Sequence, residues 1–208
     1  MKNLSNFYLC LILISLSYSC NNGSSDSVRN AKDSNAAKID SQRTMERPST
    51  AALSKTDADF LVNAASGSMP EVELGQLAQT NSRNPRVKAF GAMMVRDHEQ
   101  GEVKLKDVAS SKNVTLPNAV SNHQQKEIEN LKGKKGSDFD KGYMRLMVED
   151  HRDDVKEFEK QAGKATDSLV RSFASSSLDM LRRHLDSANY LVDLLGINYE
   201  KREPILPK

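Results

Sequence analysis

Phe90-Gly-Ala-Met-Met-Val-Arg-Asp-His98 and Tyr143-Met-Arg-Leu-Met-Val-Glu-Asp-His151 are one pattern written twice, 53 positions apart. Carried further, the echo sets Leu105 against Phe158 and Ala109 against Ala162. In both copies the apolar residues recur every three to four positions, which is the period of a helix with one buried face. Each helix thus carries an Asp-His pair at mid-length, and the repeat suggests two helical hairpins related by a pseudo-two-fold axis.

The neighbouring stretches supply their partners. Ser54 and Thr56, each with an aspartate three places on (Asp57, Asp59), read as helix starts, and Phe60, Ala64, Gly67, Glu71, Leu74 and Ala78 form a stripe to about Asn81. Pro70 lies inside it. Its ring and missing N–H predict a freed Ser66 carbonyl and a kink or break near Gly67-Ser68-Met69. Asn84-Pro85 opens the next helix, which runs to about Lys112. A short polar helix from Ser121 to just before Gly133 has a thin apolar side, Ile128 and Leu131. Ser137 with Asp140 opens the helix that carries His151, with Gly163 as its stop. Thr166 or Asp167 opens the last one, with Phe173, Ser177, Leu181, His184, Ala188 and Leu191 on one side and Gly196 at its end. No stretch alternates as a strand does. The expectation is all-α: a four-helix bundle over residues 53–197, with a short extra helix between the second and third long helices, and a C-terminal tail over 198–208.

The N-terminal flank reads as an address. Residues 1–19 combine Lys2 with the apolar run Phe7 to Leu16, too short to span a bilayer and suited to a signal-peptide core. Ser17-Tyr18-Ser19-Cys20 resembles the bacterial lipoprotein signal, whose cysteine is lipidated and becomes the first residue. Residues 20–52 are mostly Ser, Asn, Asp, Lys and Ala, and read as the lipidated cysteine plus a flexible tether. The expected location is therefore the periplasm or outer membrane of a Gram-negative bacterium, with the membrane as partner through Cys20; no protein partner is named. Cys10 and Cys20 are the only cysteines, so the helical part has no disulfide. Thirty Lys and Arg stand interspersed with 28 Asp and Glu, which gives no basic face for nucleic acid, and the Lys132–Gly136 loop reads as a solvated turn.

Counted along the stripes, Glu71, His98, His151 and His184 each fall on a core position, one per long helix. The remaining histidine, His123, is on the short polar helix. Such a layer has two uses. In the first, the four groups satisfy one another with help from Ser177 and the Ser66 carbonyl, and no cofactor is needed. In the second, three imidazoles and a carboxylate hold a transition metal ion. Asp97 and Asp150 point about 100° from the histidines that follow them. They pair either with arginines such as Arg96, Arg145, Arg182 or Arg183, or, as second-shell groups, with a histidine of another helix. Met93, Met94, Met144, Met147 and Met180 read as gap-filling core.

With these residues in hand, the chain resembles the bacterial family called domain of unknown function 4142, described as predicted outer-membrane proteins and grouped with ferritin-like bundles. The likeness spans about Asp57 to Leu195. It rests on Phe60-x3-Ala64-Ala65, Glu71-Val72-Glu73-Leu74-Gly75-x-Leu77-Ala78, Val87-Lys88-x-Phe90-x3-Met94-Val95-x-Asp97-His98, Phe139-Asp140-x2-Tyr143, Met147-Val148-x-Asp150-His151 and His184-Leu185-x2-Ala188. What the resemblance implies is an exported helical bundle without an established role. Ferritin-like di-iron enzymes use Glu-x-x-His on two helices, and here Val95 and Val148 hold those glutamate positions. The sequence therefore points first to a non-enzymatic binding or structural module, and alternatively to a ferritin-like protein that binds or sequesters metal through its polar layer.

Overall fold

The computed structural model describes residues 26–44 and 53–198. The expected signal peptide, Cys20 and all of the tail but Asn198 lie outside them. The described residues form six helices and no strand: α1 Ser27–Thr44, α2 Lys55–Asn81, α3 Pro85–Ser111, α4 Asn122–Lys132, α5 Gly136–Lys164 and α6 Ser168–Leu194. None is long and apolar enough to cross a membrane.

The four long helices pack along their lengths, α2 on α3 and α5 on α6, with α3 against α6 and α2 against α5. Aromatic contacts fix their directions. Phe60 near the start of α2 meets Phe158 near the end of α5 and Phe173 near the start of α6, while Phe90 of α3 meets Tyr143 of α5. The core divides accordingly. One apolar cluster contains Leu74, Phe90, Met94, Tyr143, Met147 and Leu191; the other contains Phe60, Leu105, Val155, Phe158, Phe173 and Leu181. Met93, Met94, Met144 and Met147 pack in the first, and Met180 borders the second, so the methionines fill core as expected.

Glycine sets the α2–α3 spacing. A Cβ on Gly75 would stand 2.6 Å from the Gly91 carbonyl oxygen, and one on Gly91 would stand 2.7 Å from the Ala78 Cβ. Only residues without a Cβ allow this approach.

Three expectations need correction. Pro70 does not break α2, which runs unbroken to Asn81. The carbonyl it frees is satisfied from outside: Gln124 donates from Nε2 to the Ser66 carbonyl at 3.0 Å and accepts from Ser66 Oγ at 2.9 Å. The same side chain completes the capping box of α4 with Ser121, so α4 acts as a splint across the proline. Second, α5 starts at Gly136, whose φ of +54° favours glycine, and it passes through Gly163. It ends where the buried Asp57 carboxylate accepts from the backbone N–H groups of Thr166 and Asp167 and from the Thr166 hydroxyl. Asp57 thereby fastens the α5–α6 turn to the start of α2.

Third, residues 27–44 of the expected tether are a helix. Its apolar stripe is narrow, Ala31 and Ile39, and low apolar content hid it. What holds it is polar. Asn35 makes a paired amide contact with Thr115, donating to its carbonyl at 2.9 Å and accepting from its N–H at 2.7 Å, and Lys38 donates to the Asn113 carbonyl.

Candidate metal centre

The polar layer lies between the two apolar clusters. Glu71 immediately follows Pro70, His98 lies one turn beyond Met94, His151 one turn beyond Met147, and His184 one turn before Ala188. All four are deeply buried: Glu71 is 1% exposed, His98 4%, and His151 and His184 0%. The fold brings these four buried groups together. The three imidazole rings lie 5.1–5.7 Å apart, centroid to centroid.

Outer partners fix which ring nitrogens face inward. His151 Nδ1 is 2.9 Å from the Met147 carbonyl oxygen, which can only accept, so Nδ1 carries the proton and Nε2 a lone pair. His184 Nε2 is 2.9 Å from Asp97 Oδ2, so Nε2 is the donor and Nδ1 carries a lone pair. Those two lone-pair nitrogens stand 3.1 Å apart. Two acceptors at that distance need a positive charge between them, either a proton or a cation. Burial weighs against the proton, lowering the pKa of His151 well below the usual histidine value and that of His184 as well, Asp97 opposing the latter.

The third side of the layer is also unsatisfied. Glu71 Oε2 is 3.1 Å from His98 Nε2, and Glu71 Oε1 is 3.2 Å from His151 Nδ1. Neither contact has hydrogen-bond geometry, and both carboxylate oxygens and His98 Nε2 are left without a hydrogen bond. Burial raises the Glu71 pKa well above the ordinary carboxyl range, reinforced by Asp154 and Asp150, and lowers that of His98 to about 3. Groups buried without a partner cost about 1–3 kcal/mol each.

The self-satisfying reading offered Ser177 and the Ser66 carbonyl as further partners. Both are engaged elsewhere. The Ser177 hydroxyl donates to the Phe173 carbonyl at 2.9 Å, and Ser66 is held by Gln124.

One nitrogen from each of His98, His151 and His184 can be chosen so that all lie within 4.8 Å of one another. A tetrahedral ion with metal–nitrogen bonds of about 2.0–2.1 Å would separate neighbouring donors by about 3.3 Å. The donor set that meets this condition is three neutral imidazoles, the chemistry of zinc, copper or iron rather than calcium or magnesium; Glu71 lies beside it, 3.1 Å from His98 Nε2.

The paired aspartates diverge. Asp97 holds His184, a histidine of another helix, and its pKa is lowered: partial burial opposes this, but hydrogen bonds from His184 and Arg96 outweigh it. Asp150 instead contacts no histidine and no arginine among the described residues. It lines a cavity beside Asp154, so its expected second-shell role is corrected. The reason is the helix it faces: Asp97 looks toward α6, while Asp150 looks toward α2 and α4. Sequence reasoning also missed Asp154, whose acidic neighbours Asp153 and Asp150 were the available signal.

A family model described as "Domain of unknown function (DUF4142)" matches residues 42–191. No curated protein matches the chain significantly. Among solved structures, the fold is similar to a crystal structure of a DUF305 fragment from Deinococcus radiodurans. That similarity has a TM-score of 0.59 and 12% identity, covering 69% of this chain and 97% of the fragment, and it speaks to the fold alone.

Proposed function

The chain belongs to the DUF4142 family, whose description assigns no activity, and from that premise we propose that it binds one transition metal ion in its helical core. The observation that carries this reading is the pair of inward lone pairs on His151 and His184, 3.1 Å apart in a buried layer. His98 supplies the third nitrogen, and Glu71 stands beside it, 3.1 Å from His98 Nε2. A single carboxylate and no Glu-x-x-His motif favour one ion held for binding or sequestration, without di-iron chemistry. In this reading the four long helices are a ferritin-like four-helix bundle. The protein is exported and anchored to the membrane through a lipid on Cys20, and acts without a catalytic residue.

Two tests separate these statements. Calorimetric titration of metal-free protein with Zn²⁺ should reach one equivalent, fall to none in His98→Ala, and stay unchanged in His123→Ala, whose side chain is on the outer face of α4. Equal titration of wild type and His98→Ala would contradict the site. For the anchor, Cys20→Ser should move the exported protein from the membrane to the aqueous fraction; unchanged membrane association would contradict lipidation.

A further inference from the structure

A cavity of about 40 Å³ reaches the buried layer on the side of Glu71 and His98, both of which line it; His151 and His184 do not. Half-buried residues on its wall, Ser68 of α2, Gly101 and Glu102 of α3 and Ser177 of α6, mark its way to the surface. Of the buried residues on that wall, Leu105, Phe158, Phe173 and Leu181 are apolar, and only Glu71 and His98 are polar. A single water needs about 10–15 Å³, so the cavity admits a molecule of a few heavy atoms. Gly101 keeps the α3 side clear: a Cβ there would meet nothing within 4 Å, so close packing does not require this glycine as it does Gly75 and Gly91.

Three converging imidazoles fill three positions of a four-coordinate ion. A metal site with four protein ligands is closed, whereas one with three keeps a position that exchanges with solvent or substrate. Glu71 is not among the donors that converge, and both of its oxygens stand without a hydrogen bond where the cavity meets the layer. A carboxyl oxygen left bare is satisfied by a donor, so the molecule that fits this end carries an O–H, N–H or S–H group. The wall bears three carboxyl groups, Glu71, Glu102 and Asp154, and no lysine or arginine, which disfavours an anion.

We infer that the centre keeps one coordination position for a small neutral protic molecule, a water or a ligand of a few heavy atoms, which enters by this cavity and donates a hydrogen bond to Glu71. The inference rests on the reading of the layer as a metal site. It adds to that reading an exchangeable ligand, its size and its charge. The lone pair of the ligand goes to the ion, its hydrogen to the Glu71 oxygen, and its remainder to the apolar wall.

The test uses the full-length protein loaded with Co²⁺ and 2-mercaptoethanol as the probe, a neutral thiol. Its sulfur takes the open position as thiolate, the proton passes to the buffer, and a sulfur-to-cobalt charge-transfer band should appear in the near ultraviolet and saturate. Mercaptoacetate, which carries the same thiol on an anion, should bind at least about tenfold more weakly. Gly101→Leu and Ser68→Leu enlarge the wall from α3 and from α2 with a good helix former. Each should hold as much Co²⁺ as wild type and bind 2-mercaptoethanol at least about tenfold more weakly. Bound Co²⁺ without a charge-transfer band would overturn the open position and leave the centre standing. Wild-type thiol affinity in either wall variant that holds Co²⁺ would overturn the cavity as the way in, and equal binding of the two thiols would overturn the preference for a neutral ligand. No Co²⁺ uptake by wild type would overturn the centre and this inference together.

Discussion

At the residue scale, the centre depends on which atom of each histidine is turned inward, and that is decided one layer out. Asp97 holds His184 by Nε2 and so presents Nδ1; the Met147 carbonyl does the reverse for His151. Replacing Asp97 with Asn lets the side-chain amide offer its N–H to that ring, which favours the opposite tautomer. Ion affinity, measured by competition with a chelator, should drop about 10–100-fold, as for other histidine-orienting carboxylates. Wild-type affinity in Asp97→Asn would count against the tautomer argument. A different aspartate gives a pH signature. Asp167 caps α6 through the N–H groups of Leu169 and Val170 and pairs with Lys112 at 2.6 Å. Partial burial would raise its pKa, but the Lys112 bond and the two N–H groups outweigh it and leave it lowered. A lowered carboxyl pKa stabilises the fold above the unfolded value of about 3.9 and loses that stability as pH falls through the folded one. Asp167→Ala should therefore cost about 1 kcal/mol at pH 7, read from denaturant midpoints. The gap from wild type should close below about pH 4.

At the element scale, α2 and α3 are joined by glycines rather than by interleaved large side chains. Gly91→Ala forces a methyl against Ala78 and the Gly75 carbonyl oxygen, at 2.7 and 2.8 Å. It should destabilise by about 1–3 kcal/mol, as overpacking does. Gly163→Ala meets nothing within 4 Å and lies inside a helix, so it should be neutral or stabilise by up to about 1 kcal/mol. Thermal melts of the two variants in parallel would settle the comparison; equal destabilisation would contradict it. The long helices were legible because each carries a wide apolar stripe, and the 53-residue echo announced two of them. The α1 helix was not legible, because its hold on the protein is an asparagine side chain paired with the backbone of Thr115, a contact that leaves no periodic trace. The unbroken path of α2 through Pro70 was hidden for a similar reason: its remedy, Gln124, lies 54 positions further along the chain.

At the scale of the whole molecule, a layer of three histidines and a glutamate lies buried between two apolar clusters. Helical counting was enough to place Glu71, His98, His151 and His184 in that layer, because one buried position per helix follows from the period. It could not give Asp97 and Asp150 their different fates, since the echo treats them alike while the neighbouring helices do not. Nor could it say whether the layer satisfies itself. In the structure Ser177 donates to the Phe173 carbonyl and Ser66 is held by Gln124, while the Glu71 oxygens and His98 Nε2 make no hydrogen bond. Elemental analysis of the protein purified without affinity histidines, beside its His151→Ala variant, tests this most directly. The account requires close to one transition metal ion per chain in the parent and none in the variant. No metal in either after incubation with Zn²⁺, Cu²⁺ and Fe²⁺ in turn, with the variant merely less stable, would contradict it.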